Sequence, residues 1–261
     1  DLELSQLLKG FIGGEVKAEL QFTVLDEVDT RLRLKADLTE TVLSAPAFGW
    51  SKAKGTKGRA ELTLNIANNL IVGVPQFELM ADDLSVRGAA KYALDGTGLE
   101  RVDFTKVVYG RTKMAGSLMP REDGSWDAGF HGDSFDLSPM WEDILGQMSG
   151  GDEFKDSLLE GLTLAVEIRK VWLDENIALN DVSGTFSRGK DSWRTVLLNA
   201  QVSENADFKL TIRPTSDGNR KLVMKSKNAG KVLNFLDIYE NMLGGQLLVT
   251  GVFNDAIPDK P

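Results

Sequence analysis

Apolar and polar residues alternate along this chain with a period of two, and that pattern limits its folds more than any other feature. In "EVKAELQFTVL" (15–25), Val16, Ala18, Leu20, Phe22 and Val24 fall on one side of an extended strand, and Lys17, Glu19, Gln21 and Thr23 on the other. "RLRLKADL" (31–38) repeats the pattern, with Leu32, Leu34, Ala36 and Leu38 against Arg31, Arg33, Lys35 and Asp37. "RAELTLNI" (59–66) aligns Ala60, Leu62, Leu64 and Ile66, and "LTLAVEI" (162–168) aligns Leu162, Leu164, Val166 and Ile168. Strands buried on both faces, as in parallel sheets, read as continuous apolar runs, whereas alternation marks an antiparallel sheet with one wet face. The expected fold is mainly β: an antiparallel, strongly twisted sheet with a few short helices, less than about a quarter helix against the usual third.

Turn-forming clusters punctuate the strands at "KGTKG" (54–58), "LDGTG" (94–98), "REDGS" (121–125) and "TSDGN" (215–219). Three segments read as helical. "SPMWEDILGQM" (138–148) has Ser138 as N-cap and Pro139 at the first helical position, and "DEFKDSLLEG" (152–161) ends at Gly161. "NAGKVLNFLDIYENMLGG" (228–245) sets Val232, Phe235, Leu236, Tyr239 and Leu243 on one stripe, which predicts a helix over 228–243 covering a sheet edge or the end of its apolar face. Two weak echoes, "DLELSQLL" (1–8) with "SFDLSPMW" (134–141) and "GSLMPREDGSW" (116–126) with "GTFSRGKDSW" (184–193), suggest two similar units. The expected organisation is a first β unit over 1–135, a helical corner over 136–160 and a second β unit over 161–261.

Composition removes most chemistries. The net charge of −9 repels polyphosphate and the lysines and arginines are dispersed along the strands, so no nucleic-acid partner is expected. There is no cysteine, and His131 is the single histidine, which leaves no thiol chemistry, no histidine metal cluster and no general acid–base pair built on histidine. No enzyme activity, catalytic residue, metal or cofactor is expected. Asp82 and Asp83 precede the strand "LSVRG" without further carboxylates at ligand spacing and read as a solvated turn. Trp50 reads as a strand-end residue capping the sheet. "SGGDEF" (149–154) contains the pentapeptide of diguanylate cyclases, but Met148 stands where their arginine belongs, and the flanking periodicity is helical rather than that of a hairpin. Residues 150–154 are expected to form a corner between two helices. No apolar run approaches the roughly 18 residues that span a bilayer. The start at Asp1 and the end at "PDKP" suggest an internal segment whose sheet continues at one or both ends.

Four segments carry a resemblance: "ADLTETVLSAPAFGWSKAKGTKGRAELTL" (36–64), "VVYGRTKMAGSL" (107–118), "GDSFDLSPMWEDIL" (132–145) and "NAGKVLNFLDIYENMLGGQLLVTGVFND" (228–255). In order and spacing they resemble the AsmA-like bacterial envelope proteins, in the branch related to YhdP. The resemblance implies an inner-membrane-anchored periplasmic protein, similar to bridge-type lipid transfer proteins, whose repeated β units form a groove for phospholipid acyl chains. It implies as partners those acyl chains, the rest of a longer chain and other envelope proteins, in outer-membrane biogenesis. The groove would be lined by Leu20, Phe22, Leu32, Leu34, Leu62, Leu64, Leu162, Leu164 and Val166.

Periodicity alone leaves two architectures open, because a dry core and a lipid groove alternate alike. The sheet either folds on itself as a sandwich or barrel, or leaves its apolar face open to a ligand. The alternative function is a scaffold or assembly factor for outer-membrane proteins, with a closed apolar core and strand edges that pair with client strands.

Overall fold

The computed structural model describes residues 12–141 and 161–254, apart from Glu27, Gly96, Thr97, Lys190, Asp191 and Asp237. The chain is mainly β, with 67% strand and 6% helix, in agreement with the expectation of less than about a quarter helix. The chain divides into two compact units, Asp1–Pro120 and Arg121–Pro261, each built on a large sheet of its own strands.

The first unit holds β1 (Ile12–Gly14), β2 (Lys17–Val24), β3 (Asp29–Asp37), β4 (Thr41–Ala45), β5 (Trp50–Lys52), β6 (Gly58–Ala67), β7 (Leu70–Ala81), β8 (Leu84–Tyr92), β9 (Leu99–Tyr109) and β10 (Thr112–Pro120). Its large sheet runs β2-β3-β6-β7-β8-β9-β10, antiparallel throughout. The remaining strands form a small antiparallel sheet, β1-β4-β5, whose β4 and β5 lie between β3 and β6 in the chain and whose β1 precedes β2. The second unit holds β11 (Trp126–Asp136), β12 (Leu162–Trp172), β13 (Ala178–Arg188), β14 (Trp193–Ser203), β15 (Ala206–Pro214), β16 (Arg220–Ser226), the helix α1 (Ala229–Phe235) and β17 (Leu247–Phe253), its strands adjacent in chain order. The first expected unit, 1–135, reaches through most of β11, which clusters with the second unit.

One pairing departs from the antiparallel expectation. β11 and β12 run parallel, Trp126 opposite Leu162 and Trp172 opposite Asp136. A parallel pair needs a crossover of a dozen residues or more, and residues 137–161 supply that length. Alternation within each strand does not report the direction of its neighbour. Of that connection the structure describes residues 137–141 and Gly161; 138–141 are helical and begin where the Ser138 N–H and hydroxyl donate to Asp136 Oδ1 at 3.2 and 2.6 Å. Ser138, expected as the cap, is itself tied to Asp136. The corner at 150–154 and the second helix to 160 lie outside the described residues.

The helix predicted over 228–243 is shorter. Asn228 caps it by accepting the Lys231 N–H at 3.1 Å, but helix ends at Phe235 and the chain turns back. The Ala229 and Gly230 N–H groups donate to the carbonyls of Gly245 and Gly244, both at 2.9 Å. A continuous helix to 243 would carry those glycines about 20 Å from its first turn, beyond reach of it. Val232 is buried, whereas Leu243, expected on the same stripe, is 97% exposed.

Candidate functional site

Hydrogen-bond register converts the alternation into rows of side chains running across the strands. In the first unit one row reads Leu20, Leu34, Leu62 and Phe77, and the next Phe22, Leu32 and Leu64. Beyond β7 the first row continues through Gly88 and Phe104. The Phe77 and Phe104 rings meet edge to face, centroids 5.9 Å apart, above Gly88, where a Cβ would lie 2.4 Å from the Phe77 ring and 2.3 Å from the Asp103 carbonyl oxygen. The glycine makes room for an aromatic pair that paves the face.

In the second unit Ala128, Leu164, Phe186, Val196, Ile212 and Leu222 form one row. Phe130, Val166, Gly184, Leu198, Leu210 and Met224 form the next. Leu162 sits one row further out, opposite Trp126. All nine residues read from the sequence as face-lining therefore stand on apolar rows, six in the first unit and three in the second.

Several residues on the same face escape the sequence pattern because bulges break it. Between Val74 and Phe77 the register of β7 against β8 shifts, at a segment containing Pro75, which cannot donate to a ladder. Alternation counted through "VGVPQFELMA" therefore loses Val74, which is buried, and Phe77. In β13 a shift between Asn180 and Ser183, with Asp181 at φ 48°, moves the buried positions from Val182 to Leu179. On β12 the same change runs from Ile168 to Val171, which pairs with Leu179.

One strand end of each apolar face is covered. In the first unit the small sheet lies over it: Leu38 and Leu43 pack with Ala36 and Ala81, and Leu34, Trp50, Ala60 and Leu79 pack around them. Lys52, 1% exposed, anchors this cover by donating from Nζ to the carbonyls of Thr41 (2.6 Å), Ala53 (3.1 Å) and Thr39 (3.4 Å). Trp50 Nε1 donates to Asp83 Oδ1 at 2.9 Å, and Asp83 Oδ2 accepts the Gly110 N–H at 2.7 Å. Asp83 thus ties the cover to two turns of the large sheet, and no group of three or more potential metal ligands occurs among the described residues. The Asp37 carboxyl is held below the usual carboxylate range by hydrogen bonds from the Thr39 hydroxyl and N–H. Replacing Lys52 with methionine leaves its three carbonyls without their donor, and the expected loss is about 2 kcal/mol of unfolding free energy, measurable by urea denaturation.

In the second unit α1 packs on β14 and β15, and Val182, Ala200, Ala206 and Phe208 beneath that end are buried. Away from these covers the rows are unevenly open: Val196, Leu210 and Ile212 are buried, Leu32, Leu62, Leu64, Leu164 and Val166 are half-buried, and the edge strand β2 is exposed. Leu20, Phe22 and Val24 on β2 are 57%, 66% and 74% exposed. Fully burying one such side chain contributes about 1.5–3 kcal/mol, so an uncovered face forgoes that stabilisation until something apolar lies on it. The opposite face is charged, with pairs such as Arg87–Glu78 (2.8 Å) and Lys91–Glu100 (2.7 Å), and His131 is exposed. The two outermost strands, β2 and β17, each present one edge unpaired by any described strand, and β17, "LLVTGVF", carries no charge.

No helix among the described residues is long and apolar enough to cross a membrane. No protein-family model, curated protein or solved structure matches the chain.

Proposed function

We propose that the chain is a non-enzymatic segment of a periplasmic conduit that carries phospholipids between the inner and outer membranes, its acyl chains lying on the apolar face. The observation that supports this reading is the set of ordered apolar rows, partly exposed and without a second sheet over them among the described residues. A sheet folded for stability alone covers its apolar face with helices or another sheet. Here the covers sit at one strand end, and the exposed apolar surface has the character of a binding surface. The AsmA-like resemblance of residues 36–64, 107–118, 132–145 and 228–255 supplies the envelope setting and the inner-membrane anchor as parts of the same proposal.

The mechanism needs no catalytic group. A methylene leaving a bilayer for the face gives up and regains about 0.8 kcal/mol of apolar burial, so transfer along the rows is nearly isoenergetic while headgroups stay in water. The exposed edges of β2 and β17 support the second reading, a scaffold that pairs with client strands of outer-membrane proteins. Mass spectrometry of the chain purified from envelope extracts separates the two. Co-purifying phospholipid is the expected result; bound outer-membrane polypeptide without lipid would favour the scaffold.

A further inference from the structure

Lysines and arginines are dispersed in the sequence, but hydrogen-bond register gathers four of them on the second unit's charged face. Lys209 on β15 stands directly opposite Lys225 on β16, and Arg213 opposite Lys221, and all four residues are exposed. The two pairs lie four residues apart along the strands, about 13 Å. No ion pair or side-chain hydrogen bond holds any of the four among the described residues. Cations stand opposite one another in the first unit too, Arg87 against Lys106 and Lys91 against Arg101. There carboxylates compensate them: Arg87 meets Glu78 at 2.8 Å, Lys91 meets Glu100 at 2.7 Å and Arg101 meets Asp103 at 2.7 Å. The acid on β15 and β16 is Asp207, at the strand end, where it accepts the Lys227 N–H at 2.9 Å. Asp217, in the turn between those strands, is occupied by the Thr215 hydroxyl and the Asn219 side-chain amide. Each cationic row ends on an exposed aliphatic residue of β17: Lys225 pairs with Leu248 and Lys221 with Val252, 65% and 67% exposed.

We propose that this face of β15, β16 and β17 docks on an anionic lipid bilayer. The site lies on the other side of the sheet from the apolar rows and stands independently of what those rows carry. Like charges directly opposite each other cost stability in a sheet, and a layer of anions over them removes that cost. In a chain of net charge −9 the two bare cationic pairs are a local inversion. One small anion does not reach both pairs across about 13 Å, whereas the headgroups of a bilayer surface do. Leu248 and Val252 fit the same partner, because a basic surface with exposed aliphatic side chains gains from apolar burial at the headgroup boundary as well as from charge. A nucleic acid would meet the charge but find no ring to stack on, since no register position on this face of the three strands is aromatic.

The test uses the full chain and co-sedimentation with vesicles of phosphatidylcholine, alone or in equal parts with phosphatidylglycerol. At low salt the parent should bind the anionic vesicles at least about thirtyfold more tightly than the neutral ones, and high salt should remove most of that preference. Near such a surface each lysine or arginine strengthens binding about fivefold, so Lys221→Gln with Lys225→Gln should weaken it about twenty-five-fold. Those substitutions take one cation from each like-charge pair, so the melting temperature should hold or rise. Lys209→Gln with Arg213→Gln should act alike from β15 and serves as the second variant should the first fail to fold. Equal binding of both vesicles by the parent, or a preference that either folded variant retains, would overturn the docking surface. Either result would leave the apolar-face reading standing, since acyl-chain capture needs no headgroup charge. Tighter binding of polyglutamate or of a single-stranded oligonucleotide, at matched charge, would make the patch a site for an acidic polypeptide or a nucleic acid and overturn the bilayer assignment.

Discussion

Val166→Asp is expected to leave the second unit folded and to slow phospholipid passage across its apolar face about a hundredfold. Val166 is half-buried, between Phe130 and Gly184 in a row that no second layer covers among the described residues, so a carboxylate there keeps access to water when the face is empty. An acyl chain crossing that row meets the charge in an apolar setting, at a cost of about 2.5–3.5 kcal/mol on the membrane insertion scale. At about 1.4 kcal/mol per factor of ten, that is roughly two orders of magnitude in rate. The experiment pairs thermal unfolding with lipid transfer between donor and acceptor vesicles. A folded variant with slowed transfer agrees with an open face. Loss of the fold would instead mean that Val166 belongs to a dry core, where an unpaired charge is not tolerated.

Gly230→Ala should lower the unfolding free energy by about 4 kcal/mol, the largest effect expected of any single methyl group here. A Cβ at this position would lie 2.0 Å from the Met242 carbonyl oxygen and 2.7 Å from its carbonyl carbon, both backbone atoms. The returning segment must therefore move off the helix, breaking the bonds from Ala229 to Gly245 and from Gly230 to Gly244. Hydrogen exchange should show faster exchange of the Ala229 and Gly230 amides, together with a lower urea midpoint. A variant with the parent's midpoint and exchange would mean that this return contact contributes little.

The sequence is most legible where strands are regular. β2, β3 and β6 alternate without interruption, and their faces follow directly from residue parity, Leu20 against Leu34 against Leu62. Legibility ends where a bulge resets parity, as at Pro75 and Asp181, since one extra residue moves every later side chain to the other face. That is why Phe77, Val171 and Leu179 are absent from a list built on alternation. Strand direction left no trace either, because β11 and β12 alternate like the antiparallel strands around them. The helix is shorter than its apolar stripe for a tertiary reason. The 228–243 stripe is amphipathic by count, but the first-turn N–H groups of α1 bond to Gly244 and Gly245, and local propensity cannot anticipate that return. The small covering sheet was invisible because β4 and β5 are short and hold together through Lys52, whose burial depends on three carbonyls that its own fold brings close.

The most direct test of the central claim places a photoreactive residue at Leu62, on the apolar face of β6, and in a second protein at the neighbouring Thr63, on the opposite face. Each is expressed within its full-length parent and illuminated in living cells, and adducts are identified by mass spectrometry. The account predicts phospholipid adducts from position 62 and none from position 63. Absence of lipid at position 62, or equal capture at both, would contradict it.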